Sequence, residues 1–287
     1  MKVSKTFVFG VFVLLLVAAA QAAKVEIVDP VVVTIDAQGA LLPDRAVDLG
    51  LVGPGQKLEL IAFTDTGEIS RGNETISGNN ADWDRMEIVS DSLPRGWVGQ
   101  DGLRYESPMK ALVVVEKNTP DGEYNFLLRT VDEFEGVSPL TFRASARVSR
   151  DVFGIRVAGE PVKVPSKSTA VYQLELSNKG SANDVFEVKV SGLPKELESK
   201  QTFFIPHNAK VTVDFPVAAP ETGEFRLEFT GTSLSSDRIT ASTATTLFVG
   251  TSLWTDLKAA SRGVLLFPGA EQLTYAVLGF ASGVIQG

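Results

Sequence analysis

Residues 211–215 read Val-Thr-Val-Asp-Phe, and residues 225–229 read Phe-Arg-Leu-Glu-Phe. Apolar and polar side chains alternate in both, the period of a strand with one buried and one wet face. Similar short runs, rich in Val, Phe, Ile and Thr, recur along the chain between clusters of Gly, Pro, Asn and Asp. The pattern predicts an all-β protein.

The runs fall into two related sets about 100 residues apart, the kind of internal period that marks a repeated unit. Met86-Glu87-Ile88 matches Phe186-Glu187-Val188, Leu93-Pro94-Arg95 matches Leu193-Pro194-Lys195, and Lys110 and Val113 match Lys210 and Val213. Pro120-Asp121-Gly122-Glu123-Tyr124 matches Pro220-Glu221-Thr222-Gly223-Glu224-Phe225 with one extra residue. Asp65-Thr66-Gly67 is matched to Asn178-Lys179-Gly180, where the offset widens. The widening places an insertion, residues 68–82, in the first copy. It is polar and rich in Gly and Asn, and reads as a long surface loop.

The expected organisation is a signal peptide (1–22), a first immunoglobulin-like β-sandwich (23–149), a second (150–250), and a short C-terminal α-helical hairpin (251–287). No Pro- or Gly-rich linker separates the copies, so the strand near Val148 is expected to feed into 152–157 through a stiff junction. Val31, Val33 and Ile35 lie in a Val-rich segment that reads as the first strand of its own domain or as a strand donated to a neighbour; the former is adopted.

The second copy runs from the charged turn before Val171 through Leu174-Glu175-Leu176-Ser177-Asn178-Lys179-Gly180 to Gly192-Leu193-Pro194 and Gly223-Glu224-Phe225. This skeleton resembles the NPCBM-associated immunoglobulin-like domain of archaeal and bacterial envelope proteins. The first copy fits more loosely; Gly96-Trp97 follows the usual continuation, whereas Glu196-Leu197 departs from it. The resemblance implies a sandwich of about seven strands acting as spacer, stalk or adhesive module. It carries over no catalytic or sugar-binding residue.

The amino terminus has Lys2 and Lys5, an apolar run over 7–17, and Ala20-Gln21-Ala22, which is the layout of a secretory signal with a small-residue cleavage site. The apolar run is about half of the roughly 20 residues that span a bilayer, so an uncleaved anchor is the weaker reading. No cysteine follows for a lipid anchor, and none occurs anywhere. Each domain must therefore be stable without disulfides. Cleavage removes two lysines and no acid, moving the formal net charge from -8 to -10. That balance argues against nucleic-acid binding, which needs Lys and Arg to neutralise phosphates.

Candidate sites are sparse. Asn79, Asp82 and Asp84 offer oxygen ligands of the kind Ca²⁺ takes, without the Gly and distal Glu of a calcium loop. Trp83, Trp97 and Tyr105 are candidates for an aromatic platform under a sugar, the alternative being core packing. Asn73-Glu74-Thr75 is a glycosylation sequon. Asp132, Glu133 and Glu135 read as a solvated hairpin end rather than paired catalytic acids, and His207, the only histidine, as part of an exposed Pro206-His207-Asn208 turn. No cofactor and no catalysis are expected.

In the tail, Leu253, Leu257, Ala260 and Val264 share one helical face, and Leu273, Val277, Phe280 and Val284 share another, with Pro268 between them. Together with Trp254 these are expected to contact a membrane interface or partner subunits, or to cap the second domain. The expected protein is an exported, cell-surface, non-catalytic module attached through its tail, the alternative being a carbohydrate-binding module.

Overall fold

Alternation drives the same outcome in both halves: two sheets close face to face over the inward side chains of each strand. The computed structural model describes residues 23–36, 46–65, 69–71, 74–76, 83–133 and 138–250. The expected signal peptide and the tail residues 251–287 lie outside them.

In chain order the first half contains β1 (Lys24–Asp29), β2 (Val33–Asp36), β3 (Ala46–Val52), β4 (Lys57–Asp65), β5 (Ile69–Arg71), β6 (Glu74–Ile76), β7 (Arg85–Ile88), β8 (Val98–Gln100), β9 (Met109–Val114), β10 (Gly122–Val131) and β11 (Thr141–Val148). One sheet runs β2-β1-β4-β9-β8 and the other β3-β11-β10-β7. β3 lies parallel to β11, and the other pairings are antiparallel. Val25, Ile27, Leu58, Leu60, Met86, Val113, Phe126, Leu128 and Phe142 fill the space between the sheets. β2 pairs with β1 of its own sandwich through Val25 and Ile35, so the Val-rich segment is not donated to a neighbour. β5 and β6 pair as a small ladder, Ile69 opposite Ile76. Part of the stretch read as loop is therefore a hairpin.

The second half contains β12 (Phe153–Ala158), β13 (Val162–Pro165), β14 (Thr169–Asn178), β15 (Asp184–Ser191), β16 (Lys200–Ile205), β17 (Lys210–Ala218), β18 (Gly223–Ser233) and β19 (Thr240–Gly250). Its sheets run β12-β14-β17 and β13-β19-β18-β15-β16, with β13 parallel to β19. Tyr172, Leu174, Phe186, Phe215, Leu227 and Phe229 are fully buried between them. Phe215 meets Phe229 edge-on at 5.4 Å between centroids, and Phe153 stacks on Phe186 at 4.0 Å.

The matched motifs land on matched elements. Met86-Glu87-Ile88 and Phe186-Glu187-Val188 lie on β7 and β15, outer residues buried and the glutamate outward. Gly122 opens β10 opposite Val148, as Gly223 opens β18 opposite Val249. The register is not identical: Ile88 faces Leu128 and Val188 faces Gly231, positions that differ when the two strands are aligned on their opening glycines. The copies also differ in their edge strands: β2 has no counterpart in the second sandwich. β8 joins β9 in the first sandwich, whereas β16 joins β15, in the opposite sheet, in the second.

Candidate functional site

Among the described residues, the sequence-predicted site residues do not assemble. Trp83 and Trp97 are 4% and 6% exposed, so the expected aromatic platform is corrected to core packing. Trp83 Nε1 donates to the Ser138 carbonyl at 3.1 Å, and Trp97 Nε1 to Thr119 Oγ1 at 3.1 Å. The Trp97 ring lies 5.5 Å from Tyr124 and 6.1 Å from Phe126. Both indoles thus bury their rings while satisfying the one donor each carries. Tyr105 stays 66% exposed, alone of the three.

Asp84 is buried, and its Oδ2 accepts from the Glu133 amide at 2.7 Å. That is a loop brace rather than a cation ligand, and among the described residues no three His, Cys, Asp or Glu converge on a metal position. Asn79, Asp82 and the sequon Asn73 lie outside the described residues. So do the tail positions Leu253, Trp254, Leu257, Val264, Leu273, Val277, Phe280 and Val284. Among the described residues no helix is long and apolar enough to cross a membrane.

Of the acidic run, Glu135 lies outside the described residues, and Glu133 is held in an ion pair. Glu133 meets Arg104 at 2.9 Å, and Glu87, beside it on the outer face, takes hydrogen bonds from both Arg85 and Arg129. Burial opposes ionisation of Glu87, but the two arginines outweigh it and hold the carboxyl below its ordinary range. A carboxylate locked in this way stays charged at neutral pH and has no proton to give.

The polar chemistry that does converge sits between the sandwiches. The turn Gly53-Pro54-Gly55 carries Gln56, which is wholly buried. Its Oε1 accepts from the Gly53 amide at 2.7 Å, its backbone carbonyl accepts from Val115 at 3.0 Å, and its Nε2 donates to Asp184 Oδ2 at 2.7 Å. Asp184 opens β15 and is 4% exposed. The same Oδ2 accepts from Ser233 Oγ at 2.6 Å, while Oδ1 accepts from Ser235 Oγ and the Val185 amide, each at 2.8 Å. A buried carboxylate is tolerated when donors replace its lost water, and here four do so.

Apolar contacts and outer bonds seal the rim. Leu51 of the first sandwich packs against the second core, and Ala182 of the second lies in the first. The Ser181 amide donates to the Leu51 carbonyl at 2.6 Å, and Arg238 Nη2 to Asn118 Oδ1 at 2.9 Å. His207 is half-buried here rather than exposed; its amide donates to Asn183 Oδ1 at 2.9 Å, and Nε2 lies 3.6 Å from Asp29. Asn178, within the turn that carried the family resemblance, is buried and bonds the carbonyls of Ala182 and Ile205 while accepting from the Gly180 amide. β11 ends at Val148 and β12 begins at Phe153. Nothing slack lies between.

Sequence reasoning missed Gln56 and Asp184. The usable signal was the hundred-residue match of Asp84 to Asp184, each just ahead of the matched triplets and each accepting from a residue just past its β10 or β18 strand, Glu133 and Ser235.

No protein-family model matches the chain, and no curated protein sequence matches it. Among solved structures it is similar to the fibronectin(III)-like modules of Clostridium thermocellum CbhA, at 10% identity and a TM-score of 0.27, over 74% of this chain and 94% of that one. A chimeric titin Z1Z2 carrying an exogenous decorin peptide aligns at 10% identity and a TM-score of 0.32, over 80% and 99%. A β-glucosidase from Listeria innocua aligns at 12% identity and 0.26, over 35% of this chain and 16% of its own. Likenesses this faint carry nothing about function.

Proposed function

We propose that this chain is a non-catalytic, exported envelope protein in which two immunoglobulin-like sandwiches form a stiff spacer and interaction unit, attached by the apolar tail to a membrane or a larger assembly. The observation that carries the spacer reading is the sealed junction: a buried Gln56–Asp184 hydrogen bond with each core reaching into the other. Interfaces between independent domains are ordinarily more polar and mobile than this. The absence of cysteine fits a module whose cores suffice without disulfides. Export rests on the Lys2/Lys5, apolar and Ala-Gln-Ala layout, and membership of the NPCBM-associated group on the Asn178-to-Phe225 skeleton.

The attachment is tested by fractionating cells that express the full chain or a version ending at Gly250. The full chain is expected in the membrane or large-assembly fraction and the shortened one in the soluble fraction. If both partition alike, attachment by the tail is wrong.

A further inference from the structure

In the first sandwich, β8 covers the outer edge of β9, pairing Val98, Gly99 and Gln100 with Val114, Val113 and Leu112. Matching Lys110 and Val113 to Lys210 and Val213 makes Thr212–Asp214 the counterpart of that covered stretch. Among the described residues, β17 pairs with β14 alone and no strand pairs with its other edge.

The direction of the free groups follows from two bonds. The Ala209 carbonyl accepts from Asn178 and the Ala219 amide donates to Ser168, and the β14–β17 register is unbroken between them. Main-chain groups alternate sides along an antiparallel strand. Odd-numbered residues therefore bond β14, and Lys210, Thr212 and Asp214 turn both N–H and C=O outward. Pro216 belongs to the same set, where a missing donor leaves no bond unmade and ends any further pairing.

The stretch Lys210-Val211-Thr212-Val213-Asp214 is complementary to itself. Set antiparallel to a second copy about a two-fold axis at Thr212, Lys210 falls opposite Asp214 of the other copy on the outer face, and Val211 opposite Val213 on the inner. Lys210 and Asp214 are exposed, and among the described residues neither has an ion-pair partner. Val211 and Val213 point inward yet are only half-buried, as is Phe203 on neighbouring β16. Sheet edges are commonly guarded against association by charged side chains, prolines or bulges. This one carries opposite charges at the spacing that pairs them.

We propose that the edge of β17 is a homodimer interface, in which two copies of this chain join Lys210–Asp214 antiparallel and extend β12-β14-β17 into one continuous six-stranded sheet. The pairing supplies about six main-chain hydrogen bonds and two symmetric Lys210–Asp214 contacts, the isologous arrangement a two-fold interface requires. It is separate from the tail and does not depend on it.

The test uses the full chain, which contains no cysteine of its own. Residues directly opposite in a hydrogen-bonded antiparallel pair have Cα atoms about 5.5 Å apart, within the disulfide range of about 4.4–6.8 Å. Under oxidation Thr212→Cys is expected to form a covalent dimer, and Lys210→Cys, which faces position 214 of the other copy, is not. In sedimentation equilibrium, Lys210→Asp and Asp214→Lys each weaken the dimer at least about tenfold, since each turns both contacts repulsive, and the double exchange restores it. A chain that stays monomeric, dimers indifferent to the single exchanges, or equal cross-linking at 210 and 212 would each overturn the proposal.

Discussion

Gln56 Nε2 and Asp184 Oδ2 lie 2.7 Å apart across the boundary between two cores, and both residues are buried. Docking of the sandwiches removes both groups from water, and the bond between them replaces what each loses. Removing the amide in Gln56→Ala strands the Gly53 N–H and takes one donor from the carboxylate. The expected loss is about 1–3 kcal/mol. Calorimetry is expected to show one cooperative transition in the parent and a lower or split transition in the variant.

Two glycines separate the backbone penalty from the contact penalty. Gly55 has φ +81°, and a Cβ there would sit 2.6 Å from the Ser235 carbonyl oxygen of the other sandwich; Gly159 has φ +89° with nothing within 4 Å. Gly159→Ala is expected to lose about 1–2 kcal/mol from the left-handed backbone alone. Gly55→Ala should lose at least about 1 kcal/mol more, because a main-chain oxygen cannot swing aside. Denaturant unfolding of the two variants gives the comparison.

Acid stability has an identifiable source. Glu87 ionises below its ordinary range when folded, so its contribution is complete above the unfolded carboxylate value of about 4.3 and disappears as pH falls through the lower folded value. Glu87→Gln should lower the melting temperature at pH 7 and flatten its decline between about pH 5 and 2.

Alkaline stability depends on Tyr172, whose phenol burial pushes up to about 12. Unfolded tyrosine ionises near 10. Between those values the unfolded chain releases a proton that the folded one keeps, so stability is intact below about pH 10 and declines toward 12. The hydroxyl's bond to the Thr246 carbonyl is long, at 3.4 Å. Tyr172→Phe should therefore match the parent at neutral pH and resist the alkaline decline, measured as melting temperature against pH.

Strands such as β17 and β18 were legible because burying one face of an extended chain imposes period two on its residues, and both keep that period in the structure. The choice between covering β9 and covering β15 was not, because Val98–Gln100 and Lys200–Ile205 are both short edge strands and their sheet is set by the path of the chain around the core. Trp83 and Trp97 were ambiguous for another reason: an indole suits a core or a sugar face equally, and the acceptors on Ser138 and Thr119 that decide the matter are remote in sequence. Gln56 read as part of a Gly- and Pro-rich turn. Only the second sandwich, brought against it, makes that turn interior.

The parallel pairing of β13 with β19 has a mechanical consequence. Val162 sits opposite Leu247 and Pro165 opposite Gly250, so tension entering at the junction and leaving past Gly250 pulls the two strands lengthwise in opposite directions. The ladder is then loaded in shear, all its rungs at once, rather than peeled rung by rung. A tether joined at these two points stretches little before it ruptures.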